Sequence, residues 1–98
     1  MIIYIVINKI NKKVYVGQTI NSLPNRKKSH YYEMRTNRDN NHFHNALRKY
    51  GKNQFNWFIL KKCENLEELD VWEKFYIKVL NSQNKKYGHN LTDGGKIF

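Results

Sequence analysis

From Ile2 to Gly17 the chain alternates with a period of two, interrupted only at Lys9, Ile10, Asn11 and Lys12. A period of two places successive side chains on opposite faces of a β-strand. Ile3, Ile5 and Ile7 share one face, and Tyr4, Val6 and Asn8 the other. In the second run Val14 and Val16 oppose Lys13, Tyr15 and Gly17. The two runs predict a hairpin. With Lys9 to Lys12 as its loop, Asn8 pairs with Lys13, Val6 with Tyr15 and Tyr4 with Gly17. Cross-strand partners share a face, so Tyr4 and Tyr15 lie on one side, on a diagonal. A loop one residue shorter or longer puts them on opposite sides. On the hairpin alone they read as ordinary strand aromatics, because Tyr is common in strands.

Downstream the period changes. Ser22 is a suitable N-cap and Pro24 fits a first helical turn, so a helix is predicted from about Leu23 to Arg35. Its apolar stripe is thin: Leu23, Tyr31 and Met34, with Tyr32 beside them. Residues 36–41 are polar and loop-like. A second helix is predicted from about His42 to Tyr50, closed by Gly51 as a left-handed cap. Gln54 to Lys61 reads as a third strand, apolar on both faces and therefore expected to be covered on both. Asn65, with Glu68 three residues on, predicts a capping box and a last helix to about Leu80. That helix is apolar nearly all round, which predicts burial. The tail, 86–98, is turn chemistry without periodicity. The order is β-β-α-α-β-α in a single domain, 1–98, with no internal repeat or low-complexity segment.

Charge narrows the partner class. The chain carries a net +10 with 18 Lys+Arg and a pI near 9.8. A small domain this basic meets a polyanion, with nucleic acid first, although a basic ribosomal-type or scaffold protein would carry the same charge. The one cysteine, Cys63, excludes an intramolecular disulfide. The N-terminal apolar run is too short to span a bilayer, which needs ~20 residues. It also lacks the flanks of a signal peptide. A soluble cytoplasmic protein is expected.

Three features suggest chemistry. Tyr4 and Tyr15 share a face. Arg26 and His30 lie one helical turn apart. Glu73 falls on the line of the last helix that also carries Leu66, Leu69, Tyr76, Ile77 and Leu80, where a carboxylate is costly unless paired, protonated or bound to a cation. A salt bridge to a Lys or Arg at the core edge would explain it equally. By contrast Glu64, Glu67, Glu68 and Asp70 cluster where the helix dipole favours them. Competing constellations are poorer. His30, His42, His44, His89 and Cys63 lack zinc-ligand spacing. Ser22, Ser29 and Ser82 sit in no nucleophile elbow, and no phosphate-cradling glycine loop occurs. The Lys27-Lys28 and Lys85-Lys86 pairs read as solvated or phosphate-facing surface.

In order, these residues are Ile2-Ile3-Tyr4, Tyr15-Val16-Gly17, Arg26-x-x-x-His30, Lys49-Tyr50-Gly51 with Phe55, Glu73-x-x-Tyr76-Ile77 and His89-Asn90-Leu91-x-x-Gly94-Gly95. The set resembles the GIY-YIG nuclease family, nearest to the catalytic domains of phage- and intron-encoded homing endonucleases. The resemblance covers essentially the whole chain. It implies an α+β fold (mixed α/β), a small three-stranded antiparallel sheet flanked by helices. It also implies metal-dependent hydrolysis of DNA phosphodiesters, with Glu73 holding Mg2+ or Mn2+ and Arg26 stabilising charge on the scissile phosphate. Tyr4 and Tyr15 would position and deprotonate water, Tyr4 as the base. His30 would orient or relay protons, Asn90 would complete the pocket on the metal side, and Gly17 would support it. Lys13, Lys27 and Lys28 are expected to contact DNA. Two departures stand out: Ile2 replaces the usual first glycine, and Val16 the central isoleucine. His89 stands where a tyrosine is common and receives no role.

Enzymes of that kind usually carry a separate DNA-binding region. The expectation is a part of a longer phage- or mobile-element-encoded protein, or a compact one relying on its own basic surface or a partner protein. Two rival readings are a non-catalytic DNA-binding module on the same scaffold, and a basic RNA-associated domain that stacks Tyr and Trp on bases.

Overall fold

Strand β1 (Ile2–Asn8) is the middle of the sheet, between β2 (Val14–Thr19) and β3 (Phe55–Lys62), and both pairings are antiparallel. This computed structural model describes residues 1–36, 41–91 and 94. Helices α1 (Leu23–Thr36) and α2 (His42–Tyr50) follow the hairpin, a short 3₁₀ turn spans Lys52–Gln54, and α3 (Leu66–Leu80) follows β3. The order β-β-α-α-β-α and the α+β class are as the sequence predicts. No described helix is long and apolar enough to cross a membrane.

The hairpin register is the one that the four-residue loop requires. Tyr4 faces Gly17 and Val6 faces Tyr15, and the Asn8 N–H donates to the Lys13 carbonyl at 3.0 Å. Tyr4 and Tyr15 therefore share a face, with ring centroids 6.3 Å apart. Alternation along β1 then builds two cores, one on each side of the sheet. Ile2, Tyr4 and Val6 pack with Phe43, Ala46, Leu47 and Phe55 under α1 and α2. Ile3 and Val16 pack with Leu69 and Ile77 under α3. A β-bulge between Ile3 and Tyr4 shifts the pairing with β3.

The free edge of β2 is closed by the segment after α3. The Val14 N–H donates to the Tyr87 carbonyl at 3.0 Å and the His89 N–H to the Val14 carbonyl at 2.9 Å. The Asn90 side chain continues this pairing: it accepts from the Val16 N–H at 2.9 Å and donates to the Val16 carbonyl at 2.8 Å. One amide thus does what a strand residue would do, satisfying edge groups that otherwise face solvent or another chain.

Local signals behave as their chemistry dictates, with four differences. The Ser22 hydroxyl accepts from the Asn25 N–H at 3.3 Å, and Asn41 caps α2 through the Phe43 and His44 N–H groups. Asn65 caps α3 by accepting from the Glu68 N–H at 2.9 Å. The first difference is in that capping box. Glu68 reaches the Glu64 N–H, at 3.0 Å, one residue before the cap. Second, Gly51 follows α2 with φ 86 and ψ 145, which is positive-φ but not the left-handed helical cap expected. Third, β3 is an edge strand and is not covered on both sides: Phe58 and Ile59 are 50% and 48% exposed. Fourth, α3 is not buried all round. Only Leu69, Glu73 and Ile77 are buried, while Val71, Phe75 and Val79 face outward. Both reversals have one cause. A three-stranded sheet is only wide enough for α3 to seat one face on β1 and β2, so apolar content overstates burial. The loop expected at 36–41 lies mostly outside the described residues, as do Thr92, Asp93 and Gly95.

A Cβ on Gly17 would stand 2.3 Å from both the ring Cζ and the hydroxyl of Tyr4. Gly17→Ala is expected to cost about 1–3 kcal/mol by overpacking, read as a lower urea midpoint. Val79→Ala, on the open face of α3, should stay within about 0.5 kcal/mol; a loss above about 1.5 kcal/mol there would contradict the exposed placement of that face.

Candidate active site

Tyr4 is the fixed point of the site because its ring lies over the side chain that Gly17 lacks. Strand alternation brings Tyr15 to the same face. Trp57 stacks on Tyr4 at 6.0 Å and Phe43 on Tyr15 at 4.4 Å. The helical spacing of Arg26 and His30 on α1 aims both at the Tyr4 hydroxyl. Arg26 Nε donates to it at 3.3 Å, and His30 Nε2 lies 2.7 Å from it. The Tyr15 hydroxyl shares a hydrogen bond with Tyr4 as well. The predicted set Tyr4, Tyr15, Arg26 and His30 therefore converges on one oxygen atom.

Glu73 arrives from the other side of the sheet. It lies on α3 between Leu69 and Ile77, and is 8% exposed. Its Oε1 accepts from Gln18 Nε2 at 3.2 Å. Gln18 is the neighbour of Gly17 and so points to the opposite face of β2. The phenols and the carboxylate are thus on opposite faces and act on each other around the β2 edge. Glu73's charge is among the influences that raise both phenol pKa values. Gly94 closes over Glu73, since a Cβ there would fall 2.9 Å from Oε1. Gln18, Thr19, Ile20, Asn21, Arg26 and Ser29 line a cleft of about 140 Å³ at this edge.

Burial governs the protonation states. It pushes the Tyr4 phenol far above its usual range, and the Tyr15 charge adds to that while Arg26 opposes it. Tyr15 is pushed up to about 12, again chiefly by burial. Burial works against the Arg26 charge, but the Tyr4 oxygen, Tyr15 and Glu33 outweigh it, and its pKa is raised. His30 is lowered to about 2, by burial first and then by Arg26 and His44. Both phenols and the His30 imidazole are therefore neutral, and Arg26 is charged.

A divalent cation suits the Glu73 end. Hard cations take oxygen ligands, and Mg2+ is commonly held by one or two carboxylates, waters and substrate phosphates. Glu73 presents one buried carboxylate beside the cleft-lining Gln18. Among the described residues no three His, Cys, Asp or Glu side chains cluster, so water and phosphate oxygens would complete the shell.

The remaining predicted residues are dispersed. Asn90 does not present its amide to the metal side, because both ends engage the Val16 backbone. Gly17 supports the site by making room for Tyr4. Lys27 lies 5.7 Å over the Trp57 ring and Lys28 is exposed. Lys13 belongs to a second, basic groove with His42, Lys49, Lys85 and His89, toward the other end of β2. Sequence reasoning missed Gln18, whose position next to Gly17 on the opposite face was the available signal. It also passed over His44, which was weighed only as a zinc ligand. His44 is 2% exposed and its Nε2 lies 2.7 Å from His30 Nδ1.

A family profile described as the GIY-YIG catalytic domain matches residues 1–87. The catalytic domain of intron endonuclease I-TevI, as a glutamate-to-alanine variant, superposes with a TM-score of 0.82 at 28% identity, over 94% of this chain and 93% of that one. The catalytic domain of homing endonuclease I-TevI gives 0.77 at 28% identity, over 92% and 96%. The MSV199 domain-containing protein 146R of Invertebrate iridescent virus 6 is 32% identical over 88 residues, 88% of this chain and 36% of that protein. The chain thus spans about a third of the length of that relative.

Acid should weaken the fold through His30. In the folded chain it stays neutral down to about pH 2, whereas in the unfolded chain it gains a proton below about pH 6.5. The unfolded state then binds the extra proton, so stability is full above pH 6.5 and falls below it, by up to about 1.4 kcal/mol per pH unit. His89, lowered to about 4 mainly by burial, adds a loss of the same sign over a narrower window. Urea unfolding at pH 7.5 and 5.5 should show a larger fall for the parent than for His30→Gln; equal falls would mean that His30 is not held neutral.

Proposed function

The chain belongs to the GIY-YIG family of nucleases, and on that premise we propose that it is a divalent-metal-dependent DNA endonuclease of homing-endonuclease type. The observation that carries this reading is the convergence of Arg26 Nε and His30 Nε2 on the Tyr4 hydroxyl, with Glu73 across the β2 edge. Hydrolysis of a phosphodiester needs a proton acceptor for water, positive charge for the phosphate and a way to stabilise the leaving oxygen. The site contains a residue for each requirement.

Glu73 would hold the cation, Mg2+ or Mn2+, which when bound would neutralise phosphate charge and stabilise the leaving oxygen. Arg26 meets the scissile phosphate. Its Nε bond to Tyr4 is long, 3.3 Å, and the guanidinium lines the cleft. Turning toward a phosphate frees a lone pair on the Tyr4 oxygen and opens that otherwise enclosed atom to water. Tyr15 then positions the water, and Tyr4 takes its proton. The phenol proton of Tyr4 leaves through His30 Nε2, so no phenolate has to stand alone in a buried site. This removes the objection that a free phenol, with a pKa near ~10, is a poor base.

DNA contact falls to the basic surface. Lys27 and Lys28 lie beside Arg26 on α1, and Lys13, Lys49 and Lys85 line the groove toward the other end of β2. Lysine contacts of this kind hold the phosphate backbone and carry little sequence information. A target sequence would be read by a further region of a longer protein or by a partner. A phage or mobile-element origin, with action inside a host cell, fits this reading.

Supercoiled plasmid incubated with Mg2+ should be nicked or linearised, and chelation should abolish the reaction. Arg26→Ala and Glu73→Ala should each slow cleavage by at least about 10²-fold, with the circular dichroism spectrum unchanged. If either variant cuts as fast as the parent, the site assignment is wrong. Binding to plasmid should weaken as salt rises, and Lys13→Ala with Lys28→Ala should lower the slope of log K against log salt by about one per contact removed, leaving the bound-state cleavage rate unchanged.

A further inference from the structure

The hydrogen-bonded chain that begins at Tyr4 does not stop at His30. His30 Nδ1 lies 2.7 Å from His44 Nε2 on α2, and that same Nε2 lies 3.7 Å from Glu33 Oε2 on α1. His30 and His44 are 1% and 2% exposed, whereas the Glu33 side chain is 45% exposed. The line Tyr4–His30–His44–Glu33 thus runs from the buried phenol to solvent, and its last two members have no part in holding phosphate or cation.

The direction of transfer sets the tautomers that it requires. The Tyr4 oxygen has two lone pairs and one proton. Arg26 Nε occupies one lone pair, and outward transfer requires the phenol proton to be directed at His30 Nε2, 2.7 Å away. His30 is neutral, so its own proton is on Nδ1 and is donated to His44 Nε2. His44 Nε2 accepts from His30 and becomes a donor toward Glu33 Oε2 only when it has taken that proton.

We propose that His44 and Glu33 complete a proton relay that moves the proton taken from the attacking water away from the buried phenols and out to solvent. This rests on the nuclease reading above. The transfers balance. Water gives a proton to the Tyr4 oxygen and the resulting hydroxide attacks phosphorus. The Tyr4 proton moves to His30 Nε2, and the His30 Nδ1 proton moves to His44 Nε2. His44 becomes imidazolium beside the Glu33 carboxylate, which passes the proton to bulk water. His30 ends neutral, with its proton on Nε2; the starting tautomer is restored when the leaving oxygen takes a proton from Tyr4, Tyr4 recovers the His30 Nε2 proton, and solvent returns one to His30 Nδ1 through His44.

Charge placement gives the direction. A positive charge left on His30 would face Arg26 across the Tyr4 oxygen in a desolvated site, and Arg26, His44 and burial all disfavour it. Moved to His44, the charge is one ring further from Arg26 and at ion-pair distance from Glu33. The titratable and charged groups on the surrounding elements are Tyr4 and Tyr15 on the strands, Arg26, His30 and Glu33 on α1, and His42 and Arg48 on α2 itself. His44 is a relay and positioning residue acting through His30, not a group that touches DNA.

His44→Gln keeps a hydrogen-bond acceptor for His30 but cannot carry a proton. It should lower kcat on plasmid with Mg2+ by about 10- to 100-fold at unchanged KM and flatten the kcat–pH profile. Glu33→Gln should cost at most about 5-fold, as an exposed charge does. The double variant should be no slower than His44→Gln alone, because Glu33 acts only through His44. Independently of cleavage, side-chain ¹⁵N spectra of the parent at pH 7 should show His30 neutral and protonated on Nδ1. A His44→Gln chain with the parent's rate and pH profile, or a His30 protonated on Nε2 or on both nitrogens, overturns the relay. No cleavage by the parent chain overturns the nuclease reading and the relay with it.

Discussion

The Tyr4 hydroxyl is one oxygen atom, deep in the domain, with three polar partners. A buried polar atom with no partner costs about 1–3 kcal/mol, and networks in a low dielectric are sensitive to each member. This oxygen therefore constrains more of the chain than any apolar contact does. The ring reaches its position only because Gly17 has no side chain. Tyr15 meets it only in the register fixed by the four-residue hairpin loop. Arg26 and His30 meet it only if α1 crosses this face of the sheet with its Arg/His side inward. The thin apolar stripe of α1 is the consequence. His30, not an aliphatic residue, is the buried side chain of that helix, and its orientation is set by hydrogen bonds at both ring nitrogens.

The sheet is the wall between the two halves of the site. Three strands are narrow enough that a residue on each face, next to each other on an edge strand, can serve one cleft. Gly17 makes room for the phenol on one side and Gln18 donates to the Glu73 carboxylate on the other. An edge strand is normally a liability. Here the Tyr87–Asn90 segment pairs with Val14 and Val16, which holds the wall in place near the site and leaves the Gln18 to Asn21 end open as the cleft. Asn90 contributes through this clamp on the β2 backbone, to which both ends of its amide are committed.

In the function we propose, the tasks are separated across that wall. Positive charge, carboxylate and proton acceptor each arrive from a different element, α1, α3 and β1, so each can be held by a different part of the fold. The neutral buried imidazole of His30 is an unusual filling for a small core, and its cost in stability at low pH is consistent with a task that requires it. His44 shows the limit of reading residues singly. It is poorly placed as a zinc ligand in sequence, but edge-on to His30 it extends a line of polar atoms to the surface.

The sequence determined the elements, their order and the face on which each candidate residue lies. Periodicity, caps and turn residues act over a few positions, and the chain carries those signals clearly at the hairpin, at Ser22 and at Asn65. Glu73 stands out in the sequence as a carboxylate on an apolar line, whereas Tyr4, Tyr15, Arg26 and His30 gain meaning there only as a set, through the family resemblance. Tertiary structure decided what is buried and who meets whom. The exposed faces of α3 and β3 carry the same residue types as buried ones, since burial depends on how wide a sheet is available to cover them. The partners of His44, Gln18 and Asn90 lie 14, 55 and 74 residues away. Contacts at that separation are set by packing across the sheet, and no local pattern in the chain records them.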